Sequence, residues 1–190
     1  MKKEDGMKKI YGVFFIFSIA VILLTFPLAG AAAAREGEAA SDDAIGSSSQ
    51  GSSNVNYLND LMLDYMNDLR ASVGVGPLSY DDTLNSYAGT RSVEATTKWS
   101  HTRPNGAQGC DMIPGNKWRG ENLSYVTVPD FGYSQEEQEE AANVMFDNLV
   151  ASPTHYDNMT FGNFTKVGIR TNVADTSGGT RLTTAYLFSN

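Results

Sequence analysis

The sequence predicts an α+β fold, an α-β-α sandwich in which helices flank a central antiparallel sheet. Two observations predict it. Three amphipathic helical segments and one short strand segment lie within residues 57–151, and two β-rich segments joined by a turn-rich stretch lie within residues 165–188. Helices that come first and strands that come mostly last are typical of this class.

The first 34 residues have the order of a secretion signal. Four lysines precede a long apolar run, which ends at Pro27, Gly30 and a stretch of alanines. This order is typical of a signal peptide, so we predict cleavage near Ala31 to Ala33 and a secreted protein. The alternative is an uncleaved signal that tethers the chain to a membrane, because a bilayer span needs about 20 apolar residues.

Residues 35–56 form a predicted flexible linker, because they are mostly Ala, Ser, Gly, Asp and Glu and contain few apolar side chains. Residues 57–190 are long enough for one domain with one core. The chain carries a net charge of −8, and removal of the lysine-rich leader makes the remainder more acidic. An acidic domain has no electrostatic attraction for phosphate backbones, so we expect no nucleic-acid partner.

The helical segments have recognisable starts. Asn56 can cap a helix from Tyr57 to Val73, Asp81 or Asp82 can cap a helix that ends near Trp99, and Ser134 can cap an acidic helix over residues 135–151. Ser152 followed by Pro153 predicts a short helix over residues 154–159 that carries His155. In the second helix a charged residue, Arg91, shares a face with Leu84, Tyr87, Ala88 and Ala95.

The strand segments are residues 123–128, 165–172 and 181–188, and residues 173–179 contain a hairpin turn signal. Residues 100–119 are rich in Gly and Pro and are predicted to form an irregular loop. A loop of this length in a small domain is commonly functional.

Few residues can carry chemistry. The two histidines, His101 and His155, both lie near residues that interrupt regular secondary structure, such as proline, and not on an apolar helix face. Glu121 lies where the long loop meets a strand, a place where side chains from separate elements converge. The single cysteine, Cys110, has no partner in the chain, and no neighbouring residue marks it as an activated thiolate, so we interpret it as buried or incidental.

An ordered set of motifs over residues 57–190 resembles the CAP (SCP-like) family, in its bacterial, secreted, cysteine-poor form. The motifs are Asn67-Asp-Leu-Arg70, Pro77-Leu78, Arg91 with Glu94, Ser100-His-Thr-Arg-Pro-Asn-Gly106, Gly120-Glu-Asn-Leu123, Ser152-Pro-Thr-His155 with Asn158, and Phe164-Thr-Lys-Val-Gly-Ile169.

The resemblance implies the α-β-α sandwich and a cleft lined by His101, Glu121 and His155. It also implies that the two imidazoles bind a divalent cation such as zinc, for which neutral histidine is suited. Glu121 would then orient a histidine or a bound water. A fourth, acidic cleft position corresponds to Asp147 or Asn148, and the register between these two stays open.

Two functions are compatible with these residues. The first is a binding module for an extracellular ligand such as a lipid, a peptide or a cell-wall fragment, with the cleft as the ligand or metal site. The alternative is a metal-assisted hydrolase in which His101 and His155 hold the cation and Glu121, with Asp147 as a further candidate, is catalytic. Hydrolytic zinc sites usually have three protein ligands, and only two are identified here, which favours the binding module.

Overall fold

A computed structural model describes residues 55–115 and 117–190. The elements are four helices, α1 (Asn56–Ser72), α2 (Asp82–Thr97), α3 (Gln135–Val150) and α4 (Pro153–Thr160), and four strands, β1 (Ser79–Tyr80), β2 (Arg119–Val128), β3 (Lys166–Thr176) and β4 (Gly179–Ser189). The predicted leader and most of the predicted linker lie outside the described residues. Within the described ones, no helix is long and apolar enough to cross a membrane.

The helix ends follow local chemistry. Asp81 accepts a hydrogen bond from the Leu84 amide at the start of α2, and Ser134 forms a capping box with Glu137 at the start of α3. After α1 the chain turns at Gly74, whose φ of 75° favours glycine. The prediction that Asn56 caps α1 was wrong, because the N-cap residue is Val55 and no side chain caps this end.

The sheet has the strand order β1-β3-β4-β2. The three long strands are antiparallel, and β4 pairs along its whole length with both neighbours. The three long strands thus form the predicted antiparallel centre of the sheet, and the short β1 pairs in parallel with the start of β3 and makes the whole sheet mixed. Because β2 lies at one end of this order, its outer side is a sheet edge.

Helices cover both faces of the sheet, which confirms the predicted sandwich. The larger core packs α1, α3 and α4 against one face and includes Met62, Met145, Ile169 and Phe188. On the opposite face, small residues of α2 such as Ala88 pack against Leu123 and Ala185. Alternate β4 side chains enter the two cores, so this central strand is almost continuously buried.

The strands are longer than predicted. β2 begins at Arg119, within the stretch predicted to be a loop, because residues 119–128 pair without interruption with β4. The β3–β4 hairpin extends to Thr176 and Gly179, which leaves a two-residue turn. The remainder of the long loop contains a 3₁₀ turn at Gly109–Met112.

Candidate functional site

Two histidines from different elements approach each other beside the edge strand β2. His101 lies in the loop after α2, and His155 lies in the first turns of α4. Their ring centroids are 6.4 Å apart, with an angle of 52° between the ring planes. The fold therefore brings together two residues that are far apart in the sequence.

Glu121 on β2 holds the His101 ring. Its Oε1 atom lies 2.8 Å from His101 Nδ1, while the side chain of His101 stays 40% exposed. A carboxylate on one ring nitrogen fixes the ring orientation and directs the other nitrogen elsewhere. Glu121 is thus placed to position His101.

Arg91 pairs with the same carboxylate in a forked arrangement. Its Nε donates to Glu121 Oε2 at 2.7 Å, and its Nη2 donates to Oε1 at 3.2 Å. Both carboxylate oxygens therefore already accept hydrogen bonds. Arg91 is fully buried and Glu121 is nearly so, which makes this a desolvated, charge-assisted pair.

The remaining donors of Arg91 extend the network to the His101 loop. Nη2 also donates to the Ser100 carbonyl oxygen at 2.9 Å, and Nη1 donates to Glu94 at 2.7 Å. Glu94 in turn accepts from Arg103 at 2.8 Å, and these two arginines lower the pKa of its carboxyl, Arg103 most of all. The loop residues on both sides of His101 are therefore tied to α2.

Gly109 lies directly against the ion pair. A Cβ atom at this position would overlap the Glu121 carboxylate and lie 2.6 Å from Arg91 Nε. The Gly109 amide also donates to the His101 carbonyl oxygen at 2.9 Å. A glycine here lets the loop backbone close over the pair, because no side chain fits between them.

The His155 side is held by amides. Asn122, the neighbour of Glu121 on β2, donates to the His155 carbonyl oxygen at 3.0 Å. Asn158 of α4 donates to the Asn122 side-chain oxygen at 2.8 Å. Asn122 is fully buried, so these contacts fix α4 against the edge of β2.

The His155 ring is neutral at physiological pH. Burial, followed by the nearby His101, lowers the pKa of His155 to about 4. Desolvation disfavours the charged imidazolium, and a second imidazole adds repulsion. A neutral imidazole has a free lone pair, which is the form that binds a metal ion.

The other predicted site residues lie elsewhere. Asp147 and Asn148 are both exposed on α3, and neither side chain bonds to His101, Glu121 or His155, so the fourth cleft position stays a prediction. Cys110 is partly buried, and burial raises the pKa of its thiol. A raised pKa is the opposite of what an activated thiolate needs, in agreement with an incidental role.

Sequence reasoning assigned no role to Arg91, Gly109 or Asn122. Arg91 had one visible signal, a charge on an otherwise apolar helix face, which requires a buried partner. Asn122 belonged to the Gly120-Glu-Asn-Leu123 motif, but its bonding partners on α4 could not be predicted. Gly109 had no signal, since its partners are distant in sequence.

The donor set suits weak binding of a divalent cation. The ring centroids of two imidazoles lie 6.4 Å apart, and imidazole nitrogen is a common ligand of zinc. Among residues 55–115 and 117–190, no group of three or more His, Cys, Asp and Glu side chains is arranged to hold a metal ion. The described residues thus offer two imidazole ligands and a carboxylate that is already engaged.

An α-β-α sandwich with two histidines paired beside a sheet edge defines the class of protein. Residues 63–186 match the family model CAP, described as the cysteine-rich secretory protein family. The chain therefore belongs to the CAP family, although it has a single cysteine. A search of the curated proteins finds no match.

Two solved structures show the same fold. An outer surface protein from Borrelia burgdorferi is 16% identical, with a TM-score of 0.54 over 72% of this chain and 94% of the other. An extracellular protein from Bacillus anthracis that contains an SCP domain is 18% identical, with a TM-score of 0.51 over 71% of this chain and 41% of the other. At these identities the likeness establishes the fold only.

Proposed function

We propose that this protein is an exported binding module whose cleft beside β2 takes an extracellular ligand such as a lipid, a peptide or a cell-wall fragment. In this proposal His101 and His155 hold a divalent cation such as zinc, which would supply a Lewis-acidic contact for the ligand. The observation that carries the proposal is that the ring centroids of two imidazoles lie 6.4 Å apart beside an edge strand. One of them is oriented by Glu121 at 2.8 Å.

The electrostatics of the cleft support this role. His155 stays neutral down to about pH 4, so it does not need to lose a proton before it binds a cation at neutral pH. Only two imidazoles converge, and a cation with two protein ligands exchanges readily. Reversible binding therefore fits the site better than a permanent structural or catalytic metal.

The alternative, a metal-assisted hydrolase, needs Glu121 to act as a general base toward water. Both Glu121 oxygens accept hydrogen bonds from Arg91, and one of them also contacts His101. A carboxylate held this way is a positioning group for His101 and is poorly placed to take a proton. The geometry therefore favours the binding module.

Export is supported by the lysine-rich, apolar leader and by the family description, which names secretory proteins. In this proposal, residues 1–34 direct export and residues 35–56 link the leader to the domain. If the leader stays uncleaved, the same domain is displayed at a membrane surface instead of being released.

Isothermal titration of the purified protein with zinc tests the metal part of the proposal. We expect saturable binding by the wild type and none by the His101→Ala, His155→Ala double variant. Glu121→Gln should weaken zinc binding by about 10- to 100-fold, because it removes the carboxylate that orients His101. An exposed change of the same type, Glu136→Gln, is the matched control and should leave binding unchanged.

Wild-type binding that the double variant retains in full would contradict the two-histidine site. Hydrolysis of an ester, peptide or glycoside by the zinc-loaded wild type, lost in Glu121→Gln, would favour the hydrolase instead.

A further inference from the structure

The loop after α2 contains an asparagine that is followed by glycine. Asn105-Gly106 is the only such pair in the 190 residues of the chain. The Gly106 amide donates to the Arg103 carbonyl oxygen at 2.9 Å, and the Arg103 amide donates to the Ala107 carbonyl oxygen at 2.8 Å. Residues 103–107 therefore form a tight turn, and the φ of 86° at Gly106 is the left-handed conformation that favours glycine.

The peptide bond between these two residues is open to solvent. Asn105 and Gly106 are both exposed. Apart from its own chain neighbours, no described residue has an atom within 4 Å of the point where a Cβ of Gly106 would lie. Any other residue at this position would shield its own backbone nitrogen with a side chain, and glycine has none. The Gly106 nitrogen is therefore accessible both to water and to the side chain that precedes it.

The Asn105 side chain is folded toward the C-terminal side of its own backbone. Its Oδ1 atom accepts a hydrogen bond from the Ala107 amide at 3.1 Å. A side chain bonded two residues ahead spans the intervening peptide unit, which brings its carbonyl carbon, Cγ, toward the Gly106 nitrogen. A backbone N–H aimed at a carbonyl oxygen also stabilises the negative charge that develops there when a nucleophile adds to the carbon. The turn thus supplies a nucleophile, an electrophile and a donor to the developing oxyanion.

We propose that Asn105 is a site of spontaneous modification, where deamidation through a succinimide ring converts the side-chain amide to a carboxylate. The hydrogen bond from Gly106 to Arg103 opens first, as exposed hydrogen bonds in turns do. The Gly106 nitrogen then gives its proton to a base in solvent and adds to Cγ of Asn105. The N–Cγ bond forms, the Cγ–Nδ2 bond breaks, and Nδ2 takes up a proton and leaves as ammonia. Water opens the ring at one of its two carbonyl carbons, which yields aspartate or isoaspartate.

The two products differ in the length of the main chain. Aspartate keeps the turn and adds one negative charge near Arg103, which already pairs with Glu94. Isoaspartate inserts a methylene group into the main chain, which breaks the pairing between Arg103 and Ala107. The Gly109 amide joins the end of this loop to the His101 carbonyl oxygen at 2.9 Å, so isoaspartate should also displace His101.

Incubation of the purified protein at mildly alkaline pH, followed by peptide mapping with mass spectrometry, tests the proposal. Asn105 should convert at least about tenfold faster than two internal controls, Asn148 and Asn163. The controls are also exposed, but they precede the bulky residues Leu149 and Phe164. In ¹⁸O-labelled water the products should gain one ¹⁸O atom, and both aspartate and isoaspartate should form because the ring has two carbonyl carbons.

Two variants separate the chemistry from the turn. Aspartate enters the left-handed conformation more readily than most residues, so Gly106→Asp should keep the turn. Its side chain obstructs the attacking nitrogen, and conversion at Asn105 should slow by about tenfold or more. In the wild type the NMR signals of the His101 ring should change during the incubation, whereas in Asn105→Gln they should not.

Conversion at Asn105 that is no faster than at Asn163 would overturn the proposal, as would conversion in the urea-unfolded protein that is absent in the folded one. Aspartate without isoaspartate would indicate direct hydrolysis and would overturn the succinimide step. None of these measurements uses a metal ion, so the result is independent of the zinc titration.

Discussion

The two imidazoles of the candidate site are held by opposite means. His101 lies on a loop, is partly exposed and contacts a carboxylate that belongs to a buried ionic network. His155 lies on a helix, is partly buried, and its backbone carbonyl accepts a hydrogen bond from the side-chain amide of Asn122. One ring is positioned by charge and the other by packing, so the two halves of the site should respond differently to mutation and to pH.

The largest effect on the free energy of unfolding should come from the His101 half of the site, which the ionic network holds. Arg91→Met removes the forked partner of Glu121 and leaves a buried carboxylate unpaired, which typically costs about 3–5 kcal/mol. Arg103→Gln, which removes only the outer contact to Glu94, should cost about 1 kcal/mol or less. Urea unfolding of both variants measures the difference.

The double variant Arg91→Met, Glu121→Leu sharpens this test, because it removes both charges together. It should recover much of the stability that Arg91→Met loses. Equal stabilities for Arg91→Met and Arg103→Gln would show that the ionic network does not hold the His101 half.

The His155 half of the site should affect the stability of the protein at acidic pH. His155 has a folded pKa of about 4 and an ordinary value of 6.5, so the unfolded chain binds the proton more tightly. Stability is therefore lost as pH falls from about 6.5 toward 4, by about 2–3 kcal/mol at about pH 4.5. His155→Gln should lack this part of the acid dependence.

Urea unfolding at pH 7 and near pH 4.5, in a buffer with a chelator, measures this difference. Carboxylates titrate in both proteins, so only the difference between wild type and His155→Gln reports on the imidazole. Parallel pH profiles for the two proteins would mean that His155 is solvated and not held by packing.

A smaller effect should come from the contact between the loop and the ion pair. Gly109→Ala places a methyl group against Glu121 and Arg91, which should cost about 1–3 kcal/mol by overpacking. The same variant should displace His101 and leave His155 in place. The two histidine signals in an NMR spectrum separate these outcomes, and equal shifts of both would contradict the distinction between the two halves.

The smallest effect should come from the exposed face of α3. Asp147→Asn and Asn148→Asp should each change stability by less than about 0.5 kcal/mol, because neither side chain is buried or bonded in the described structure. Zinc titration of both variants tests the open fourth cleft position. A large loss of affinity in Asp147→Asn would place that carboxylate in the cleft after all.

Local signals predicted the elements well. Ser134 marked the start of α3, and the two β-rich segments near the C-terminus became the β3–β4 hairpin. The start of β2 was missed because the β-rich pattern begins only at Leu123, after the polar Glu121 and Asn122 at the boundary between the predicted loop and strand. They lie in a strand because Arg91 and the α4 backbone satisfy their polar groups, and such long-range partners leave no local pattern.

For the same reason, only part of the site could be predicted. His101, Glu121 and His155 are identified by motif, but the distance between the rings and the engagement of both Glu121 oxygens depend on how α2, β2 and α4 pack. The short parallel β1 was also unpredictable, since two residues carry no periodicity.

The most direct test of the central claim is to follow the imidazole ¹⁵N signals of His101 and His155 while zinc is added to the protein at neutral pH. A shared site predicts that both signals change together, with the same zinc dependence, and that Glu121→Gln weakens both. A response from one histidine alone, or from neither, would contradict the account that the two rings form one binding centre.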